Sequence, residues 1–235
     1  MQTIPSIFDA RQKYSVNRLD ATEGIRQSLY DFQIYPAAGL PQFTFFQSPQ
    51  GQGLSSHPLN ANNVKGIWDT NMESAGQLPN PKRFLVESIE VSFEAGSVAT
   101  ANTFTTVSPI AFATVAASTV GSYITDVNLI RQVGVVGLFI GSKYYLREAP
   151  IGRFPPKVRP ELTGAVATNS ATVGEAFAAT LKQVGRPYFI EPAIFLESTQ
   201  NFNVDVVFPA AQPLASGFNG RIGVILDGYL YRNSQ

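Results

Sequence analysis

Phe202-Asn203-Val204-Asp205-Val206-Val207-Phe208-Pro209 and, after a loop, Arg221-Ile222-Gly223-Val224-Ile225-Leu226-Asp227-Gly228-Tyr229-Leu230-Tyr231-Arg232 decide the fold class. In the first run Phe202, Val204, Val206 and Phe208 alternate with Asn203 and Asp205, and Pro209 stops the pattern. A strand turns successive side chains to opposite faces, so this alternation marks a strand with one buried face. In the second run Ile222, Val224, Leu226 and Leu230 share a face in the same way. Pro213 and Gly217 lie in the loop between them, so two consecutive strands close the chain.

Outward from this pair the same period recurs. Residues 188–197 form a strand region broken by Pro192, and residues 29–35 and 42–47 are short aromatic-rich strands separated by a turn over residues 36–41. Ile89, Val91 and Phe93 alternate with Ser88, Glu90, Ser92 and Glu94, which predicts a half-buried strand with a wet face. Residues 102–107 and 110–116, rich in Thr, Val and Phe, are expected strands. A long polar stretch over residues 48–81 is interrupted only by residues 64–68. Two short helices are expected within the β run. Residues 122–133 place Ile124, Val127 and Ile130 on one face before Gly134, and the Thr172-Val173-Gly174-Glu175 capping box opens a second helix to about Val184. The total is about nine or ten strands, the pattern of a sandwich or barrel of the jelly-roll kind.

Residues 1–28 read as an N-terminal arm, with residues 29–235 as the domain. The arm carries Arg11, Lys13, Arg18 and Arg26 against Asp9, Asp20 and Glu23, a mild basic bias. Asp20-Ala21-Thr22-Glu23 has capping-box spacing, which predicts a short helix over residues 21–29. Met1-Gln2-Thr3-Ile4-Pro5 lacks the regions of a signal peptide, so none is expected. The apolar stretches fall short of a membrane span.

The 235 residues include 17 Lys or Arg and 17 Asp or Glu, a formal net charge of zero. Charged residues make up 14%, against roughly 25% in an average soluble protein. A weakly charged, neutral surface favours association. Nucleic-acid binding across a whole face needs a clear Lys/Arg excess, and none exists. The absence of cysteine excludes disulfides, thiolate nucleophiles and Cys-ligated metal sites. The single histidine, His57, excludes the multi-histidine metal sites of cupin-type jelly rolls.

Little else carries catalytic chemistry. His57 sits in Gly53-Leu54-Ser55-Ser56-His57-Pro58 without a G-x-S-x-G elbow, and a solvated loop histidine accounts for it. Glu87, Glu90 and Glu94, and Glu191, Glu197 and Asp205, are the acids available for glycoside hydrolysis, which needs two of them about 5–10 Å apart in a cleft. Glu90 and Glu94 share the wet face of their strand, and a solubilising stripe accounts for the first three better than catalysis does. Gly51-Gln52-Gly53 reads as flexible loop rather than phosphate cradle. Lys143, Arg147, Arg153, Lys157 and Arg159 are interleaved with Tyr144, Tyr145 and Phe154, which suits an interface strip, or a plain strand-to-loop junction, better than base stacking. Pro150, Pro155, Pro156 and Pro160 stiffen this segment into a strap suited to a neighbouring surface. No catalytic, cofactor or metal residue is assigned, and the chain is not expected to be an enzyme.

The closing runs, with the lead-in Tyr188-Phe189-Ile190-Glu191-Pro192-Ala193-Ile194-Phe195-Leu196, resemble the last strands of jelly-roll capsid proteins from tailless icosahedral bacteriophages, over about a fifth of the chain. The resemblance implies an all-β jelly-roll domain in a capsid shell subunit. Such a subunit self-assembles into an icosahedral virion through barrel-to-barrel and arm contacts. Its partners are copies of itself, with other capsid proteins as further candidates. Family members have one roll or two fused rolls. About sixteen strands would leave under about 15 residues each, so a single roll is the reading, with a compact double roll as the alternative. The basic nucleic-acid-binding arms of the family are not matched here, which argues against direct genome binding. Contact with an internal membrane, made by some members, is left open. The rival reading is a receptor- or carbohydrate-binding jelly-roll module using Trp68 and loop tyrosines.

Overall fold

The computed structural model describes residues 22–57, 63–98, 117–157, 159–164, 177–182 and 187–233. The elements are β1 (Thr22–Tyr35), β2 (Gln42–Phe45), β3 (Arg83–Val98), α1 (Ala117–Gln132), β4 (Val135–Ile140), β5 (Lys143–Glu148), a 3-10 turn (Ile151–Arg153), β6 (Arg159–Gly164), β7 (Phe177–Lys182), β8 (Tyr188–Leu196), β9 (Phe202–Val207) and β10 (Asn219–Asn233). Eight strands form two antiparallel four-stranded sheets, ordered β1-β10-β3-β8 and β2-β9-β4-β5, and β6 and β7 pair separately. Apart from the β4–β5 hairpin, each step along these eight strands passes from one sheet to the other.

The core lies where the two sheets face each other. From the first sheet come Leu29, Tyr35, Phe84, Val86, Ile89, Val91, Phe93, Ile222, Val224 and Leu226; from the second come Phe43, Phe45, Val136, Leu138, Ile140, Phe202, Val204 and Val206. Tyr35 joins the layers: its ring stacks on Phe43 at 5.0 Å and meets Phe93 edge-on at 5.4 Å, while its hydroxyl donates to Gln212 O at 2.8 Å. Burial, reinforced by Asp126, pushes this phenol up to about 12. Such aromatic pairs add about 0.5–1.5 kcal/mol each beyond area burial. The alternation in β9 and β10 is therefore the alternation of one shared core.

A bulge sets the first sheet's pattern. Val86 pairs with Gly228 and Ser88 with Asp227, leaving Glu87 unmatched on β10. The extra residue flips the inward parity from Phe84 and Val86 to Ile89, Val91 and Phe93, and Glu87 meets Arg26 at 2.9 Å. On the other side of β3, Val86 pairs with Ile194 and Ser88 with Phe189, so Pro192 sits in the part of β8 that skips the ladder, where its missing N–H costs nothing. Residues 69–71 cover the free edge of β1: the Phe32 amide donates to Asp69 O at 2.8 Å and the Tyr30 amide to Asn71 Oδ1 at 3.0 Å. This protects an edge that would otherwise be open to pairing.

The helix expected over residues 122–133 is the C-terminal part of α1, which buries Tyr123, Asp126 and Ile130 along one face. It ends before Gly134, whose φ of +109° is open to glycine and strained for other residues. Four expectations are corrected. Residues 22–29 are not helical: all of β1 pairs with β10 from Thr22↔Asn233 to Tyr35↔Gly220, and that long-range ladder overrides the local capping signal. Thr22 to Ser28, expected in the arm, therefore belong to the sheet; residues 1–21 lie outside the described residues. The second expected helix is replaced over Phe177–Lys182 by β7, paired along its length with β6, while its start at Thr172 lies outside the described residues. The Ser88–Glu94 face is not uniformly wet, because Ser88 and Glu90 are buried and only Glu94 is exposed. The strands expected over residues 102–107 and 110–116 lie outside the described residues.

Candidate interaction surfaces

The loop between β2 and β3 is built around Asp69. Its carboxylate accepts from Ser55 Oγ at 2.7 Å, from the Ser56 amide at 2.8 Å and hydroxyl at 2.7 Å, and from the Gly66 amide at 3.2 Å. Burial alone would raise this carboxyl, but the bonds from Ser56, Ser55 and Gly66 outweigh it and hold it below its ordinary range. Arg221, from β10, locks the loop to the first sheet. Its Nε donates to Ser56 Oγ at 3.0 Å, its Nη2 donates to Trp68 O at 2.6 Å, and its guanidinium lies 4.0 Å from the Phe32 ring centre. Burial pushes Arg221 below its ordinary value. A second anchor is the buried Lys65–Asp31 pair, 2.5 Å apart, with the Phe46 amide donating to Asp31 Oδ2 at 2.7 Å. Burial raises the Asp31 carboxyl despite Lys65.

What this pinned loop presents is apolar. Leu54 is 70% exposed, Trp68 63%, Ile67 52% and Val64 40%, and Leu54 pairs with Val64 as an antiparallel bridge. His57 lies beside the Trp68 ring, centroids 5.7 Å apart. Among the described residues between 48 and 70 the charged side chains are Lys65 and Asp69, both buried, so the outward surface carries no formal charge. Exposed apolar groups gathered on a hydrogen-bonded scaffold make this loop the first candidate for an interaction surface.

The acids named from sequence fall into separate places. Glu87, Glu90 and Asp227 come together on the outer face of the first sheet, where Arg26 bridges Glu87 and Asp227 and Lys157 bridges Asp227 and Glu90. Each is committed to a cation. Glu94 lies 3.8 Å from Arg221, Glu197 pairs with Arg83 at 2.9 Å, Glu191 is exposed on β8, and Asp205 belongs to the other sheet. Among the described residues no group of three or more His, Cys, Asp or Glu is placed to hold a metal.

The basic strip is likewise dispersed. Lys143 and Arg147 lie on β5, and Arg153 pairs with Glu148 beside the Tyr188 ring. Phe154 is buried 4.6 Å from Tyr188, its carbonyl accepts from the Val91 amide at 2.9 Å, and the Lys157 amide donates to Glu90 at 2.9 Å. The strap over residues 151–157 is therefore laid on its own chain, extending the edge of β3 beyond β8 and covering Glu90. Ile151 and Phe154 are core residues, which is the physical reason it docks at home. The side chain of Arg159 lies outside the described residues.

The outer face of the second sheet is the third surface. Across it Thr44, Asp205, Gly137 and Arg147 stand in one transverse row, and Asn203, Phe139 and Tyr144 in the next. Phe139 and Tyr144 meet edge-on at 5.2 Å, and Arg147 lies 5.4 Å from the Tyr144 ring centre. Sequence reasoning singled out Trp68, Tyr144 and Arg147 but missed the Asp69 hub, Arg221 and the Asp31–Lys65 pair. Asp31 alone left a trace, a charge at the inward parity of Leu29 and Tyr35. No protein-family model, no curated protein and no solved structure matches this chain.

Proposed function

We propose that this chain is a capsid shell subunit, a single jelly roll that assembles with copies of itself into a virion. The observation that carries the reading is the strand order. With the β6–β7 pair set aside, the eight sheet strands run first–eighth–third–sixth in one sheet and second–seventh–fourth–fifth in the other, the order of two interlocked Greek keys. The closing strands β9 and β10 lie at the centres of their sheets and carry the capsid resemblance. Ten strands among the described residues favour one roll over two. A shell also needs more than one kind of contact, because a single self-complementary patch closes at a dimer. The uncharged loop surface around Trp68 and the outer face of the second sheet are two chemically different candidates, and the arm is proposed as a third. Direct genome binding is not part of the proposal.

Size-exclusion chromatography with light scattering, and negative-stain imaging of the leading fraction, tests it. Closed shells or symmetric capsomer-sized oligomers are expected; a monomer at all concentrations counts against it. The exposed Trp68 ring on a pinned loop favours one second reading, a carbohydrate-binding module. Glycan-array binding that disappears in Trp68→Ala, in a protein that stays monomeric, would establish that reading instead.

A further inference from the structure

On the outer face of the second sheet two charged groups stand unmatched. The inward positions of β9 are Phe202, Val204 and Val206, so Asn203 and Asp205 face outward. Asp205 is 8% exposed, and its Oδ1, like Asn203 Oδ1, is buried without a hydrogen-bond partner. Native proteins rarely leave a buried carboxylate oxygen without a donor. At the other end of the same row, two strands away, Arg147 is exposed and touches the Tyr144 ring with no ion pair among the described residues. Asp205 and Arg147 are separated by Gly137, so their backbones stand roughly 10 Å apart at the usual strand spacing.

We propose that this face binds the same face of a second copy, about a two-fold axis running along β4 over Gly137. Rotation about an axis parallel to the strands keeps strand direction and exchanges left for right. β9 of each copy then lies over β5 of the other, and Arg147 of each copy meets Asp205 of the other. The charge pattern is self-complementary only in this arrangement: the acid and the arginine sit on opposite sides of β4, and the rotation brings each onto its opposite. Gly137 has no side chain of its own and the Tyr144 ring leans over it, Cε1 standing 3.0 Å from where a Cβ would be, so the Tyr144 rings of the two copies meet at the axis, and near-parallel strands suit aligned sheet packing. The contact rests on the shell-subunit reading and names one of the surfaces that reading requires.

Charge exchange tests it. In the full chain, Arg147→Glu is expected to raise the concentration at which oligomers form at least tenfold. Arg147→Asp combined with Asp205→Arg is expected to recover most of that loss, with circular dichroism reporting the fold. Because Asp205→Arg places a long side chain at a buried position, Asp205→Asn supplies a second arm: in that background Arg147→Glu is expected to have a clearly smaller effect than in the wild type, the coupling a direct pair requires. Assembly by Arg147→Glu at wild-type concentrations would overturn this contact and leave the shell reading standing. Equal effects of Arg147→Glu in the wild-type and Asp205→Asn backgrounds would overturn the pairing. A wild-type chain that stays monomeric at every concentration would overturn both.

Discussion

The two sheets share one core but differ on their outer faces. The first sheet is covered by its own chain. The loop carrying Asp69 is bolted across β1 by Arg221, the 151–157 strap lies along β3, and Glu87, Glu90 and Asp227 are matched by Arg26 and Lys157. There, Leu85, Tyr229 and Tyr231 form a second small apolar cluster outside the main core. On the second sheet Asn203 Oδ1 and Asp205 Oδ1 are buried without a hydrogen-bond partner, and among the described residues the acid and arginine remain apart. A face completed within the chain contributes to folding, whereas a face left incomplete is available to a partner. Substitutions on the first sheet should therefore act on stability, and those on the second on association.

The largest expected effect is at Gly228, where an added Cβ would come 1.7 Å from the Leu85 carbonyl oxygen at the bulge. Backbone cannot yield as a flexible side chain does, so Gly228→Ala is expected to remove more than about 4 kcal/mol and leave no folded protein by circular dichroism. Next comes Asp69→Ala, which removes the acceptor shared by the Ser55 and Ser56 hydroxyls and the Ser56 and Gly66 amides; a loss of about 2–4 kcal/mol is expected in urea unfolding. Faster amide exchange at Ser56 and Gly66 would accompany it. The same carboxyl gives a pH dependence. Its folded value lies below the unfolded one, so its contribution is complete above the unfolded value near 4 and is lost as pH falls through the folded value. Wild-type stability should fall in that acid window, and Asp69→Asn should lack that part of the slope. Smaller still is Lys157→Met on the first face, expected to cost about 1 kcal/mol since the lysine is half exposed. Arg147→Met on the second face should change the melting of the dispersed chain by less than about 0.5 kcal/mol. A larger loss at Arg147 than at Lys157 would break the comparison.

What the sequence made legible follows the same division. The alternation in β9 and β10 was readable because each strand keeps one face in the core. The start of β1 was not, because a capping-box spacing at Asp20–Glu23 is local while the ladder to β10 joins residues about two hundred positions apart. Residues 177–182, rich in alanine, lost their helix reading to pairing with β6. Glu90 looked solvated because nothing near it in sequence announces that Lys157 will cover it. The Asp69 hub depends on Arg221, far along the chain, and no periodicity connects them. On the second sheet, Asp205 and Arg147 were visible as residues, but their shared row appears only once β4 lies between β9 and β5.

The most direct test of the account is oxidative footprinting of the purified protein, assembled and dispersed, read at Tyr144, which is 51% exposed in the single chain. Self-association through the second sheet predicts that modification of Tyr144 falls several-fold in the assembled fraction. Equal modification of Tyr144 in both fractions would contradict it.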